Sequence, residues 1–247
     1  MKLTRLPRIL LAILLTLYFV PAEAQLDTRS FFSITGGYSL PVGEMAREKL
    51  NDPFAGLTGA GYYGQANFDF RIARWVGLRF TGSSNLNTTN SDPIIDKANQ
   101  YAQTLGQNFN WTTNVSKWKL HALMAGPALY INMGRVQIEM HAQGGKVWAN
   151  SPSVNVIGTT EAGGEPITVN LKSATTSAFG LAGGASLRFP LAGALYFQLS
   201  GDVIGAEAQI KDIAVQAKRG AFEFSEPINE KRFVGVVNVG AGLGIAF

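Results

Sequence analysis

A two-residue alternation of apolar and other side chains recurs in eight separate segments between Phe31 and Phe247, and that is the period of β-strands. The first sets Phe32, Ile34, Tyr38 and Leu40 against Ser33, Thr35 and Ser39. The second sets Tyr62, Phe68, Phe70 and Ile72 against Gln65, Asn67, Asp69 and Arg71. The third sets Val76, Leu78 and Phe80 against Gly77, Arg79 and Thr81. The fourth sets Trp118, Leu120, Ala122 and Met124 against Lys117, Lys119 and His121. The fifth sets Val136, Ile138, Met140 and Ala142 against Gln137, Glu139, His141 and Gln143. The sixth sets Phe179, Leu181, Leu187 and Phe189 against Gly180, Gly184, Ser186 and Arg188. The seventh sets Leu195, Phe197, Leu199 and Val203 against Tyr196, Gln198, Ser200 and Asp202. The eighth sets Phe233, Val237, Val239, Leu243, Ile245 and Phe247 against Asn238, Gly240, Gly242 and Gly244.

Short and long connections alternate strictly between these segments. The short ones are Ala73-Arg74-Trp75, Met133-Gly134-Arg135 and the stretch from Pro190 to Ala194. The long ones cover about 41–58, 84–115, 149–175 and 206–231. Membrane barrels of outer-membrane type have this asymmetry, with short periplasmic turns and long extracellular loops. A soluble sandwich has no reason to collect its long loops at one end. The expected fold is therefore all-β: an eight-stranded antiparallel up-and-down transmembrane barrel. Its apolar residues face lipid and its polar ones face the lumen, and it closes because an open sheet edge is not tolerated in hydrocarbon. Trp75, Tyr130 and Phe189 near the short turns, and Tyr62, Trp118 and Trp148 near the long loops, are expected to form two interfacial aromatic belts.

The N-terminus reads as an export signal. Lys2, Arg5 and Arg8 precede an apolar run from Ile9 to Val20, which is too short to span a bilayer as a helix. Ala22 and Ala24 flank Glu23 in the small-x-small pattern of a cleavage site, so Gln25 is expected to open the mature chain. The organisation is thus a signal peptide over 1–24 and a barrel domain over 25–247. The signal holds three of the 21 basic and one of the 17 acidic residues, which leaves the mature chain at +2. Its basic residues are scattered, which argues against a nucleic-acid partner. The chain contains no cysteine, so a disulfide framework and a lipid anchor on cysteine are both excluded.

The C-terminus reads Gly242-Leu243-Gly244-Ile245-Ala246-Phe247. The terminal Phe247, with Ile245 two before it and Gly242 three earlier still, resembles the signal read by the barrel assembly machinery of the outer membrane. Gly240 stands where that signal usually has a polar residue. The mature chain as a whole resembles the small eight-stranded barrels of the OmpA, OmpX and OmpW type. Gln25 after the cleavage site and the glycine-rich strands are similar to the Bacteroidetes outer-membrane beta-barrel domain group. The resemblance implies residence in a Gram-negative outer membrane, with outer-membrane lipid and the assembly machinery as partners. It also leaves room for an extracellular partner at the loops. OmpW likeness would imply passage of small apolar molecules through a lateral opening.

Inside the barrel, residues opposed across a turn must share a face. Outward residues share parity across each short turn, so each turn is expected to hold an odd number of residues. A three-residue first turn sets Asp69 opposite Arg79, and Glu139 and Arg188 fall at nearly the same height. Unpaired buried charge is too costly to persist, so Asp69, Arg79, Glu139 and Arg188 are expected to form a lumenal ion-pair network that plugs the barrel or gates it. Lys117, Lys119, His121, His141 and Asp202 are expected higher in the lumen, solvated. The two histidines do not converge on one site, and no cofactor or metal is expected. Lipid A deacylases of the PagL type pair a His with a Ser two residues on; here Leu123 and Gln143 stand at those positions. No enzyme is expected. Asp92-Pro93 is expected to start a helix with Asp92 as its cap, and Ile94, Ala98, Tyr101 and Leu105 give that helix an apolar face to lie over the barrel mouth.

Overall fold

The computed structural model describes residues 30–48, 56–104, 108–160, 164–219 and 222–247. Its strands are β1 (Phe31–Pro41), β2 (Thr58–Ala73), β3 (Val76–Thr89), β4 (Phe109–Val115), β5 (Trp118–Met133), β6 (Val136–Asn150), β7 (Val154–Thr160), β8 (Ile167–Leu171), β9 (Thr175–Pro190), β10 (Leu195–Arg219) and β11 (Phe222–Ala246). One helix, α1, covers Asp92–Thr104. Eight of the strands form a closed antiparallel ring in the order β11, β1, β2, β3, β5, β6, β9, β10, with β10 pairing back to β11. The seam runs from Phe31 opposite Ala246 to Pro41 opposite Val236. Ser30 and Phe247 lock its end by exchanging backbone hydrogen bonds of 2.7 and 2.9 Å.

The eight ring strands are the eight alternating segments, and in seven of them the faces lie as the alternation suggests. Ile34, Tyr38, Phe70, Leu181 and Val239 point outward and are exposed, and Phe179 is 73% exposed. Ser33, Asn67, Asp69, Arg79, Glu139, Arg188, Gln198 and Asn238 point inward and are buried. A water-soluble domain buries its large apolar side chains and shows its charges; this barrel does the reverse.

β5 is the exception. Trp118, Leu120, Ala122, Met124 and Tyr130 point into the lumen, while Lys119, His121, Leu123, Leu129, Ile131 and Met133 point out. The cause is the turn after it. Met133 pairs directly with Val136, so only Gly134 and Arg135 connect β5 to β6. A two-residue link opposes even to odd positions, and one residue of register exchanges the two faces of a strand. Gly134 holds φ at +62°, the sign required at the first central position of a type II′ hairpin. The expectation of a three-residue turn is therefore corrected. Trp118 and Tyr130 are lumenal, not members of the interfacial belts, whereas Tyr62 is exposed on the outer wall and Trp75 is exposed in the short turn.

The long connections carry structure of their own. β4, β7 and β8 extend from β10 beyond the ring, in the order β10, β8, β7, β4. Helix α1 starts on Ser91, whose carbonyl accepts from Ile94 and Ile95 at 3.0 and 3.1 Å, while the Asn90 side chain accepts from the Asp92 N–H. The cap is thus Ser91, and Asp92 is already helical. The helix packs beside β4. The mouth is instead entered by a 3-10 turn, Gly43–Ala46, which buries Met45 completely. Residues 1–29, with the cleavage-site residues Ala22, Ala24 and Gln25, lie outside the described residues, as does Leu105.

Candidate functional site

The lumen is layered, and its turn-end half is polar. Asp69 on β2 faces Arg79 on β3 in register, and their side chains approach to 3.7 Å. The Arg79 Nη1 donates to Glu139 Oε2 of β6 at 2.6 Å. On the opposite wall Arg188 of β9 donates from Nη2 to Asp69 Oδ2. β2 and β9 are four strands apart in a ring of eight, so this bridge crosses the lumen through its axis. The same guanidinium donates from Nε to Gln198 and from Nη1 to Gln137, at 3.3 and 3.2 Å. Tyr130 Oη donates to Asp69 Oδ1 at 3.2 Å, and Ser186 Oγ donates to Glu139 Oε2. Asp69, Arg79 and Glu139 are fully buried.

Two residues assigned to the solvated upper lumen belong to this layer. His141 Nδ1 lies 3.0 Å from Glu139 Oε1, and its Nε2 lies 3.1 Å from Asp202 Oδ1. His141 and Asp202 are buried. The six residues Asp69, Arg79, Glu139, His141, Arg188 and Asp202 therefore form one connected set, in which an imidazole with a proton on each nitrogen gives both flanking carboxylates a donor. A neutral polar layer continues it. Gln65 donates to Asp202 at 3.3 Å and to Asn67 at 2.9 Å, Tyr63 meets Ser200 at 3.2 Å, and Asn85 donates to Asn238 at 2.6 Å.

Aromatic rings close the set on the turn side. The Arg188 guanidinium lies 4.4 Å from the Phe31 ring centre, with Tyr196 and Tyr130 at 5.5 and 5.6 Å. Below them a cavity of about 400 Å³ opens between the turns, lined by Phe31, Arg71, Arg135, Gln137, Arg188 and Tyr196 among others. The rings cover the ion pairs and keep solvent from competing for them.

The loop-end half of the lumen holds an apolar core on the walls of β5, β6, β10 and β11, while Ser39, Asn85 and Asn87 keep the β1 and β3 walls polar. Met45, Trp118, Leu120, Val147, Ile204, Val234 and Val236 pack together there, with Met124 and several alanines. Trp118 Nε1 donates to the Gly56 carbonyl at 3.0 Å, tying this core to the chain above it. A side chain on Gly56 would strike the Met45 backbone at 2.4 Å, so glycine is needed for that close approach. Lys117, Lys119 and His121 are not in the lumen. Lys119 and His121 stand on the outer wall, exposed, because β5 presents its other face inward, and Lys117 is exposed just before it. Sequence reasoning missed this core because Trp118, Leu120 and Met124 suit a lipid face and a packed lumen equally well. It also missed Tyr130 as a partner of Asp69. The Gly-Arg pair at 134–135 was the available signal for both.

Gly242 lies at the seam, where a side chain would strike the Ile34 carbonyl at 2.0 Å. Ile245 and Phe247 face outward, and the Phe247 ring stacks on Phe68 with centres 6.2 Å apart.

Among solved structures the chain is similar to Neisserial surface protein A (TM-score 0.46, 8% identity, 88% of this chain and 97% of that one). It is similar to a major outer membrane protein from Thermus thermophilus (TM-score 0.45, 11% identity, 90% and 100% covered). It is also similar to Ail, the attachment invasion locus protein of Yersinia pestis (TM-score 0.39, 13% identity, 87% and 99% covered). No protein-family model and no curated protein sequence matches the chain. At these levels the similarities leave function open, and the barrel rests on its own strand pairing and inverted burial.

Proposed function

We propose that this chain is an integral outer-membrane barrel whose lumen does not conduct, and that it acts at the cell surface through its loop end. The observation that carries the reading is the Asp69–Arg188 bridge, which crosses the lumen from one wall to the wall opposite. A conducting pore leaves that axis to water. Here it holds an ion pair, and beyond it the apolar core around Leu120, Ile204 and Val236 and the hydrogen-bonded Ser39, Asn85, Asn87 and Asn238 are all buried in the loop-end part.

The outer wall supports membrane insertion. From Leu123 to Met133 every outward residue of β5 is apolar. At about 3.4 Å per residue and a tilt near 40°, that run is about 26 Å tall, close to the apolar band of membrane barrels. β10 and β11 have 25 residues each, far more than the 9–11 or so that a crossing needs. Their excess lifts the β8-β7-β4 extension clear of the bilayer. β4 pairs on one side only among the described residues, which leaves a row of backbone groups for a surface partner. Passage of an apolar molecule would require a tunnel where the packed loop-end residues stand.

Planar-bilayer recording tests the reading. Wild type and Arg79→Ala should both show negligible current, because the apolar core still blocks the lumen when the ion pairs are weakened. Steady single-channel openings by the wild type would overturn it. Openings in Arg79→Ala alone would make the network a gate.

A further inference from the structure

The inverted β5 puts basic groups on the wall that faces the membrane. Lys119 and His121 point outward two residues apart on β5. On β6, Trp148 stands directly across from His121, and Lys146 stands across from Leu123, diagonal to His121. Same-face neighbours on a strand and diagonal neighbours across a pair lie about 7–8 Å apart, within reach of long side chains. The Lys146 ammonium lies 5.2 Å from the centre of the Trp148 ring. The three basic side chains therefore share one patch, with an aromatic ring beside them.

Its surroundings make the patch distinct. The outward positions of β3, β5, β6 and β9 include no Asp or Glu. Lys119, His121 and Lys146 are the basic residues among them, and all three lie toward the loop end. Elsewhere on the outer wall a cation has its counter-ion: Lys231 pairs with Glu207 at 2.6 Å. Leu123 and Phe179 flank Lys146 on the two neighbouring strands, and below them the wall stays apolar through Leu129 and Leu181, all four exposed. The patch thus sits at the upper edge of the apolar band, at the depth where lipid headgroups meet hydrocarbon.

We infer that Lys119, His121 and Lys146, beside Trp148, form a binding site for the phosphate-bearing headgroup of an outer-leaflet lipid. The lipid's chains lie along the apolar wall from Leu123 and Phe179 down to Leu129 and Leu181. Phosphate oxygens accept charge-assisted hydrogen bonds from the two ammonium groups and the imidazole, and Trp148 places its ring at the interfacial level where such rings settle. Two lysines suit a headgroup with more than one phosphate. This inference rests on the membrane reading above.

Native mass spectrometry of the refolded mature chain in detergent tests it. The probes are lipid A carrying both phosphates, the same lipid after phosphatase treatment, and inorganic phosphate. The wild type should retain one diphosphorylated lipid per barrel and lose it on dephosphorylation, with no competition from inorganic phosphate at millimolar concentration. Lys119→Gln/Lys146→Gln should weaken retention at least tenfold, and Lys231→Gln should leave it unchanged. Equal retention of both lipid forms, or equal retention by the double variant, would overturn the site. Displacement by inorganic phosphate alone would overturn its assignment to a lipid. These outcomes are distinct from failure of the membrane reading, which would show as a chain that stays monodisperse in buffer without detergent.

Discussion

Tyr130 on β5 reaches past β3 to donate a 3.2 Å hydrogen bond to Asp69 on β2, which places an aromatic hydroxyl in the middle of a lumenal charge network. The contact exists only because the even-numbered residues of β5 point inward. It therefore ties the orientation of one strand to the satisfaction of a buried carboxylate. With Arg79 and Arg188 on its other flank, Asp69 is the point where the two walls of the barrel meet.

The orientation of β5 can be read by labelling, since the chain has no native cysteine. In the folded barrel, His121→Cys should react with a water-soluble maleimide, and Ala122→Cys should react only after unfolding. Mass spectrometry counts the adduct. The opposite pattern would return β5 to the orientation that its alternation suggests.

Removing one member of the buried network should be costly. Arg79→Ala leaves Glu139 and Asp69 short of a cation in a closed lumen, and should lower the unfolding free energy by about 3–5 kcal/mol. Arg79→Met combined with Glu139→Leu removes both charges and should recover a large part of that loss. Urea unfolding in micelles, followed by tryptophan fluorescence, measures both. Simple additivity of the two single changes would show that the pair is not coupled.

The two-residue turn should be sensitive to its glycine. At φ +62° a branched side chain is disfavoured, so Gly134→Val should cost about 1–2 kcal/mol. Gly64 faces outward with open space around its Cβ position, and Gly64→Ala should change little. Equal effects in the same unfolding assay would mean that the turn does not hold the register.

The apolar core and the ion pairs should block the lumen independently. Met45→Ala opens a cavity beneath the loops and should cost about 2–5 kcal/mol. Current across a planar bilayer should remain negligible, because the Asp69–Arg188 bridge is untouched. Conductance in this variant would make the core the sole seal.

Much of the architecture was legible in the chain because strand periodicity and turn length are local. Eight alternating segments and the division into short and long connections follow from neighbouring residues alone. The opposition of Asp69 and Arg79 is expected from a three-residue first turn; the structure reaches the same register with a two-residue link, Arg74 and Trp75, and a bulge between Arg71 and Ala73. The wall positions of Tyr62 and Phe179 needed only parity. His141 and Asp202 were assigned to a separate upper layer because their heights were read strand by strand. Both oppose Gly184 of β9 in register, and with no side chain between them His141 reaches Asp202 on one side and Glu139, two residues along its own strand, on the other.

The sequence by itself determined the barrel, its ends, and the polar side of seven strands, since each is a property of a segment and its adjacent turn. Tertiary structure decided which face of β5 the lumen takes, what fills the loop end, and where Lys119 and His121 stand. The physical reason is that Trp118, Leu120, Ala122 and Met124 lose water equally well against lipid or against Val147, Ile204 and Val236. Hydrophobicity cannot choose between those environments; the two-residue link at Gly134 and Arg135 does.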